Sequence, residues 1–516
     1  MTGSGPAPTV TAPTGPHDRE TPGYAHSSVR ARTVQSVAWR AASQIALQLS
    51  RVVTAVVLAR LLTPAEYGVA GMVLVFSSFV LPFTDLGLGA ALVQRPTLTP
   101  QGLSTVFWIS LGAGALFTVV GVALATPISD FYSQPEVKPL FAALSLAFLV
   151  VSFSTVQRSL LAREINFRSL ELRNLAGTAI GSVVAIAAAA AGYGPWALIL
   201  QLLSASVVTT ALLWFRASWR PAFVFSLDSA RDLGGFGIRA LGTRLLTDVR
   251  QNGDKLVIGR LLGSSPLGIY LVANNIVLMP FNRMVVPLQD VLFPAFSRMQ
   301  GGAAAVGTAW VRVNRVLAAI SLPAMLGLIV VAPDLIPFVL GDRWVKAVPV
   351  IQLLAWVGLI QALQGINGAV LIALNRTGRL LAVTAAIVTL SFAALFAGLP
   401  WGVRGVAAAY AVANTLTFPA FTWVVTRCLG VSVWTVFRSL LGVGAAAVVM
   451  VVVTFFAREW LLHQHLPLGV RLLLEVAVGA GVYVAVCLRT SRAVVDDVRS
   501  IRRNRQLPKV GPVPQA

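Results

Sequence analysis

The stretch Val53–Gly68 reads VTAVVLARLLTPAEYG, and 200 residues later Gly253–Gly268 reads GDKLVIGRLLGSSPLG. The positions of the first stretch that align without a gap on identical residues of the second include Arg60 on Arg260, Leu61 on Leu261, Leu62 on Leu262 and Gly68 on Gly268. The repeat indicates a duplicated bundle of helices. Transporters commonly use such a duplication to build a central site between two halves.

The composition predicts an all-α integral membrane protein. Hydrophobic residues make up 56% of the 516 residues and charged residues only 11%, whereas soluble domains average roughly 25% charged residues. Apolar runs of about 20 residues, the length that crosses a bilayer as a helix, recur along the chain. We predict fourteen transmembrane helices, at 36–61, 67–93, 103–126, 139–161, 173–192, 195–215, 234–262, 267–296, 309–332, 347–374, 379–399, 402–426, 432–456 and 467–488.

The 200-residue offset divides these helices into two six-helix lobes plus two C-terminal helices. The predicted units are a disordered tail (1–33), an N-terminal lobe (34–215), a linker (216–233), a C-terminal lobe (234–426), helices 13 and 14 (427–490) and a basic tail (491–516). Arginines cluster in the loops that share a side with both termini. The positive-inside rule therefore predicts a multi-pass protein of the bacterial inner membrane with both termini in the cytoplasm.

The net charge of +21 does not indicate a nucleic-acid partner, because the basic residues lie mainly in short loops and at the C-terminus. Clustered arginines near the membrane favour contact with anionic lipids instead. Two cysteines and four histidines form no metal motif. We expect no metal, no cofactor and no catalytic residue.

Polar residues within the predicted spans form matching stripes in the first helix of each lobe. Charge at membrane depth costs about 2.5–3.5 kcal/mol on insertion scales, so such side chains usually face a cavity or a partner. The stripe of helix 1 is Gln44, Gln48 and Arg51, and that of helix 7 is Arg244, Asp248, Gln251 and Lys255. We interpret both stripes as the lining of one solvated cavity. The alternative is internal pairing, which Arg250 and Asp254 would satisfy at i and i+4.

Helix 8 adds a second polar set, with Asn275, Asn282, Arg283 and Asp290. Prolines interrupt this helix at 280 and 287 and its counterpart, helix 2, at Pro82. Prolines free backbone carbonyls and permit bending, so matched kinks in two halves point to a moving site. The acidic residues Asp85, Asp248 and Asp290 are candidates for ion coupling.

The proposed cavity holds four cations, Arg51, Arg244, Lys255 and Arg283, against Asp248 and Asp290. This balance favours an anionic ligand, and arginine suits the geometry of phosphate. The full set of predicted substrate-binding residues is Gln48, Arg51, Arg244, Asp248, Gln251, Lys255, Asn275, Asn282 and Arg283.

Three segments resemble the Wzx-type polysaccharide flippases, in the branch similar to colanic-acid exporters of the multidrug/oligosaccharidyl-lipid/polysaccharide superfamily. They are ARLLTPAEYG (Ala59–Gly68), DLGLGAALVQ (Asp85–Gln94) and LGDRW (Leu340–Trp344). The resemblance implies a fourteen-helix flippase that moves an undecaprenyl-diphosphate-linked oligosaccharide outward by alternating access, with Arg51, Arg244, Lys255 and Arg283 as its cationic contacts. It also implies membrane lipids, glycosyltransferases and a glycan polymerase as partners.

Two other functions fit parts of the sequence. An ion-coupled multidrug antiporter on the same scaffold would use the intramembrane carboxylates Asp85, Asp248 and Asp290. A membrane glycosyltransferase or glycan polymerase would place catalytic residues on sizeable external loops, and the first predicted external loop, Thr63–Tyr67, is too short for that role.

Overall fold

The structure is a computed structural model. It describes residues 47–84, 86–95, 98–163, 167–215, 219–278, 296, 299, 302–491 and 494, with the backbone alone at 94, 167–169, 228–240, 243, 244, 246, 247 and 250. Within these residues the regular structure is entirely helical, which confirms the predicted all-α class. The predicted tails, 1–33 and most of 491–516, lie outside the described residues.

Eight helices form the N-terminal helix group, defined as α1–α8. Their bounds are α1 47–61, α2 Pro64–Val80, α3 Leu88–Gln94, α4 Pro100–Tyr132, α5 Val137–Ser152, α6 Thr155–Arg163, α7 Phe167–Ala190 and α8 Trp196–Phe215. Within this group α4 packs on α5, α7 on α8, and α5 on both α2 and α8.

Seven further helices form the C-terminal helix group, defined as α9–α15. Their bounds are α9 Leu227–Leu262, α10 Ser264–Leu278 as far as it is described, α11 Gly302–Leu340, α12 Val348–Gln364, α13 Asn367–Ala373, α14 Thr377–Gly398 and α15 Gly402–Leu429. Two more helices, α16 Val433–Leu462 and α17 Leu468–Thr490, pack on each other and on α11.

The start of α2 is fixed by residues of the first copy that the second copy does not share. Thr63 caps the helix: the Glu66 amide donates to Thr63 Oγ1 at 3.3 Å, and the Thr63 amide donates to Glu66 Oε2 at 2.7 Å. Such a capping box satisfies two backbone donors that a helix start leaves unpaired. Pro64 occupies the first helical turn, where its missing N–H costs nothing.

Pro82 lies where the second predicted helix breaks. The α-helix ends at Val80, a 3-10 turn spans Leu81–Thr84, and Gly87 has a φ of 71°. The expected interruption of helix 2 is therefore present. Its expected counterparts, Pro280 and Pro287, lie outside the described residues.

Nine stretches within the described residues are long and apolar enough to cross a membrane, and a tenth is obtained if the bent pair α5 and α6 counts as one span. One of the nine, Thr377–Leu429, is 53 residues long. A helix of that length would extend about 80 Å at 1.5 Å per residue, well beyond a hydrocarbon core of about 30 Å. Because α14 packs along α15, this stretch turns back on itself. The total of fourteen stays a prediction.

A buried ion network attaches the last two helices to the C-terminal helix group. The Asp334 carboxylate of α11 accepts from Arg458 Nε of α16 at 2.8 Å and from Arg471 of α17. Glu475 of α17 lies deeper and is fully buried, 3.9 Å from Arg471 Nε. The sequence analysis gave these residues no joint role, because they are far apart along the chain.

Candidate functional site

The two copies of the repeat meet face to face through their glycines. A Cβ added to Gly68 would lie 3.0 Å from the Gly268 nitrogen and would overlap the carbonyl oxygen of Ser264. A Cβ added to Gly268 would lie 3.0 Å from the Gly68 nitrogen and would overlap the carbonyl oxygen of Pro64. Positions 64 and 264 are themselves 200 residues apart. The contact therefore relates the two helix starts by an approximate two-fold axis.

The two repeated arginines extend this symmetry by crossing between the helix groups. Arg60, at the end of α1, donates to the carbonyl oxygens of Val339 at 2.8 Å and of Phe338, both at the end of α11. Arg260, at the end of α9, donates to Ser133 Oγ at 3.2 Å, just beyond the end of α4. Cations are favourable at helix C-termini, where carbonyl groups lack helical partners. Arg60 thus binds at the end of α11 and Arg260 at the end of α4, each in the other helix group.

Aromatic packing seals the same region. The Trp344 indole donates to the Ala59 carbonyl oxygen at 2.6 Å and is fully buried. Its ring meets Tyr67 edge-on, with centroids 5.7 Å apart. We call this region, formed by residues 59–68, 131–133, 259–268 and 338–344, the closed face. The starts of α2 and α10, which carry the two copies of the repeat, meet in this region.

Below the closed face, a cavity of about 190 Å³ separates the two helix groups. Its wall combines α2 and α8 of one group with α9 and α10 of the other: Tyr67, Gly71, Leu74, Val75, Leu198, Asn252, Lys255, Leu271 and Asn275. We call it the central cavity. The Asn252 amide also donates to Ser78 Oγ across the groups at 3.2 Å.

A larger cavity of about 640 Å³ lies within the C-terminal helix group. It is enclosed by α9, α10, α12, α14 and α15, and we call it the C-terminal cavity. Its polar wall residues are Gln251, Asp254, Lys255, Tyr270, Asn274, Gln361, Gln364, Thr384, Ser391, Tyr410 and Asn414.

Lys255 lines both cavities and so stands at their junction. Its Nζ donates to the backbone oxygen of Gln251 at 2.9 Å and to Asn252 Oδ1 at 2.7 Å. These acceptors are neutral, and an ammonium group can donate three hydrogen bonds. Lys255 Nζ can therefore donate a third hydrogen bond, and an anionic ligand can accept it.

Asp254 lies beside Lys255 and turns toward the C-terminal cavity. Tyr270 donates its hydroxyl to Asp254 Oδ2 at 2.6 Å, and the Lys255 amide donates to Oδ1 at 2.9 Å. The half-buried carboxylate thus has two hydrogen-bond donors, which offset part of its desolvation cost. The suggested partner, Arg250, has no described side chain.

Only some of the predicted site residues line the described cavities. Gln251, Lys255 and Asn275 line the described cavities, whereas Gln48 and Asp248 are half-buried outside both walls. Arg51 is exposed and is not among the described residues that line either cavity. The side chain of Arg244, and all of Gln44, Asp85, Asn282, Arg283 and Asp290, lie outside what the structure describes.

The sequence analysis missed several wall residues: Asn252, Tyr270, Asn274 and Tyr410. Asp254 was considered only as half of a local ion pair. Spacing along α9 could have suggested Asn252, which is one turn from Lys255. Tyr270 and Tyr410 give no such signal, since tyrosines in apolar helices are common packing residues.

Comparison with known proteins places the chain in a family. Residues 57–349 match the model of the family described as "Polysaccharide biosynthesis protein". The lipopolysaccharide biosynthesis protein WzxC of Escherichia coli (strain K12) is 29% identical over 68% of this chain and 71% of its own length. The teichuronic acid biosynthesis protein TuaB of Bacillus subtilis (strain 168) is 27% identical over 80% of this chain and 86% of its own length.

A third relative, the succinoglycan biosynthesis transport protein ExoT of Rhizobium meliloti (strain 1021), is 26% identical over 94% of this chain and 98% of its own length. Among solved structures, the lipid II flippase MurJ in an inward closed conformation has a TM-score of 0.73 at 13% identity, covering 89% of this chain and all of that chain. An inward-facing multidrug resistance MATE transporter has a TM-score of 0.57 at 15% identity, covering 74% and 94%. These likenesses establish a transporter fold.

The resemblance in the repeated motif, the helical membrane fold and the family match agree with one another. They support a transporter and not an enzyme, so the glycosyltransferase and polymerase alternatives are set aside. The chain belongs to the polysaccharide biosynthesis protein family.

Proposed function

We propose that this protein flips a polyprenyl-diphosphate-linked oligosaccharide, with undecaprenyl as the lipid, from the cytoplasmic to the outer leaflet for cell-surface polysaccharide biosynthesis. With both termini in the cytoplasm, as the loop charges predict, the closed face is external. The transport then proceeds by alternating access, in which the two helix groups separate at the closed face after the substrate has entered from the other side.

The position of Lys255 carries this proposal. A diphosphate must leave water to cross the bilayer, and only charge-assisted hydrogen bonds compensate that loss adequately. Lys255 supplies an ammonium group at the junction of the central and C-terminal cavities. The polyprenyl chain stays in the bilayer, so the protein has to carry only the polar head. No bond is made or broken.

Reconstitution tests the proposal directly. We expect proteoliposomes to move a fluorescent undecaprenyl-diphosphate oligosaccharide between leaflets, and Lys255→Ala to slow this movement at least about tenfold, since a hydrogen bond to a charged group contributes roughly 1.5–3 kcal/mol. Lys255→Arg should retain most of the rate. Lys346→Ala, at an exposed lysine of the 3-10 helix Asp342–Ala347, is the matched control.

Equal rates for wild type and Lys255→Ala would contradict the assigned role of this lysine. A protein that moves cationic drugs but not the lipid-linked saccharide would instead support the multidrug antiporter alternative. Both substrates can be followed in the same vesicles.

A further inference from the structure

We propose that the C-terminal cavity is a binding subsite for uncharged sugar residues of the lipid-linked substrate. This inference rests on the proposed function and deepens it, because it divides the head group between two places. The diphosphate binds Lys255, and the sugars next to it extend into the C-terminal helix group.

The size and position of the cavity support this division. Its volume of about 640 Å³ falls within the roughly 300–1,000 Å³ typical of small-molecule sites. The central cavity, at about 190 Å³, is too small for a diphosphate with several sugars. Because Lys255 lines both, a head group anchored at its Nζ has direct access to the larger space.

The wall chemistry matches a ligand rich in hydroxyl groups. Neutral amides and hydroxyls dominate its polar part, and the phenol groups of Tyr270 and Tyr410 combine an apolar face with a polar edge. Lys255 is the one cation and Asp254 the one carboxylate among the described wall residues. Acidic sugars would require further cations, and a lipid tail would leave these amides without partners at a cost of about 1–3 kcal/mol each.

One wall group has an unused donor. The Gln364 Nε2 atom is buried and has no hydrogen-bond partner among the described residues. Buried polar groups are nearly always paired, so an unpaired donor calls for an explanation. Three residues earlier, the Gln361 amide makes only a long bond of 3.3 Å to the Tyr410 hydroxyl. The Gln361 amide can exchange this long bond for one to a sugar oxygen, and a rotation of the Gln364 side chain would give its unpaired donor the same kind of partner.

Binding to the full-length protein in nanodiscs tests the subsite with three probes. They are undecaprenyl diphosphate, the same carrier with a neutral hexose trisaccharide, and the carrier with a trisaccharide that contains one hexuronic acid. We expect the neutral trisaccharide to raise affinity at least tenfold over the bare carrier, and the acidic one to raise it less.

Gln361→Ala and Gln364→Ala should reduce the affinity ratio of the neutral saccharide to the bare carrier toward one. Gln352→Ala is the control on the same helix, since its Nε2 donates to the Ile329 oxygen at 2.8 Å and lies outside the cavity wall. Thr384→Val, which keeps the side-chain shape but removes a wall hydroxyl, gives the same test if an alanine variant fails to fold.

An unchanged ratio in all three wall variants would overturn the subsite, as would a wild-type protein that binds all three probes equally. Tightest binding of the acidic trisaccharide would overturn the preference for uncharged sugars. The proposed function is tested separately with Lys255→Ala: unchanged affinity for the bare carrier would contradict the diphosphate site, whatever the affinity ratio of the wall variants.

Discussion

Gly68 and Gly268 lie against each other at the closed face, each so near the opposite helix that a methyl group on either would overlap a backbone carbonyl oxygen. They are also the equivalent positions of an internal repeat. The internal repeat thus relates the two helix groups by symmetry, and its two glycines form one of the contacts between the groups. Glycine is required here by close backbone approach, since helices can come this near only without side chains.

We predict that Gly68→Ala and Gly268→Ala each prevent the closed face from forming. Alanine would otherwise favour these helices by about 1 kcal/mol over glycine, so a loss of function has to come from the contact. Flipping in proteoliposomes should fall at least tenfold in both variants, and by similar factors because the contact is reciprocal. Gly112→Ala is the control, since no atom lies near its added Cβ. Wild-type rates in both variants would contradict the tight contact.

Trp344 gives a second prediction about the closed face. Trp344→Phe keeps an aromatic ring but leaves the buried Ala59 carbonyl without its indole donor, a loss of about 1–3 kcal/mol. We expect the closed face to open more often. A membrane-impermeant thiol reagent should then label Leu74→Cys in the central cavity several-fold faster from the external side, with both native cysteines replaced by serine.

The matched control is Trp401→Phe, at an indole that is 74% exposed. It should leave the labelling of Leu74→Cys unchanged. Faster labelling in both tryptophan variants would indicate general loosening and not a specific loss at the closed face.

The ion network around Asp334 predicts a change in stability. Asp334→Ala would leave Arg458 and Arg471 without their shared carboxylate, and removing one partner of a buried pair costs about 3–5 kcal/mol. The midpoint of thermal unfolding in detergent should therefore fall clearly. Glu459→Ala removes a half-exposed carboxylate that also pairs with Arg458, worth about 0–1 kcal/mol. Similar midpoints for the two variants would contradict the assigned anchoring of α16 and α17.

The sequence was sufficient for the membrane class and for most of the described helices, because both depend on local apolar runs. Predicted helices 4 and 10 are each divided in two, the first as α5 and α6 and the second as α12 and α13. The 200-residue offset aligned Gly68 with Gly268, but an alignment does not predict that the two residues touch. Lys255 and Gln251 could be predicted as cavity residues from their spacing on one helical face. Polar side chains at membrane depth are costly unless they face a cavity or a partner.

Other parts of the site depend on tertiary packing that no local pattern encodes. The partners of Arg60 are backbone carbonyls nearly 280 residues away. Asp254 was considered only as an alternative partner of Arg250 on its own helix, whereas its side-chain partner among the described residues is Tyr270 of the next helix. The equivalence of the two stripes likewise did not place Arg51 among the described residues that line either cavity.

The most direct test of the central claim is the distance between spin labels at Glu136→Cys and Arg343→Cys, exposed positions of the two helix groups near the closed face, in protein whose native cysteines are replaced by serine. Adding undecaprenyl-diphosphate oligosaccharide should add a longer distance to the distribution, and Lys255→Ala should abolish that change. A single unchanged distance in protein that actively flips the substrate would contradict separation of the helix groups at the Gly68–Gly268 contact.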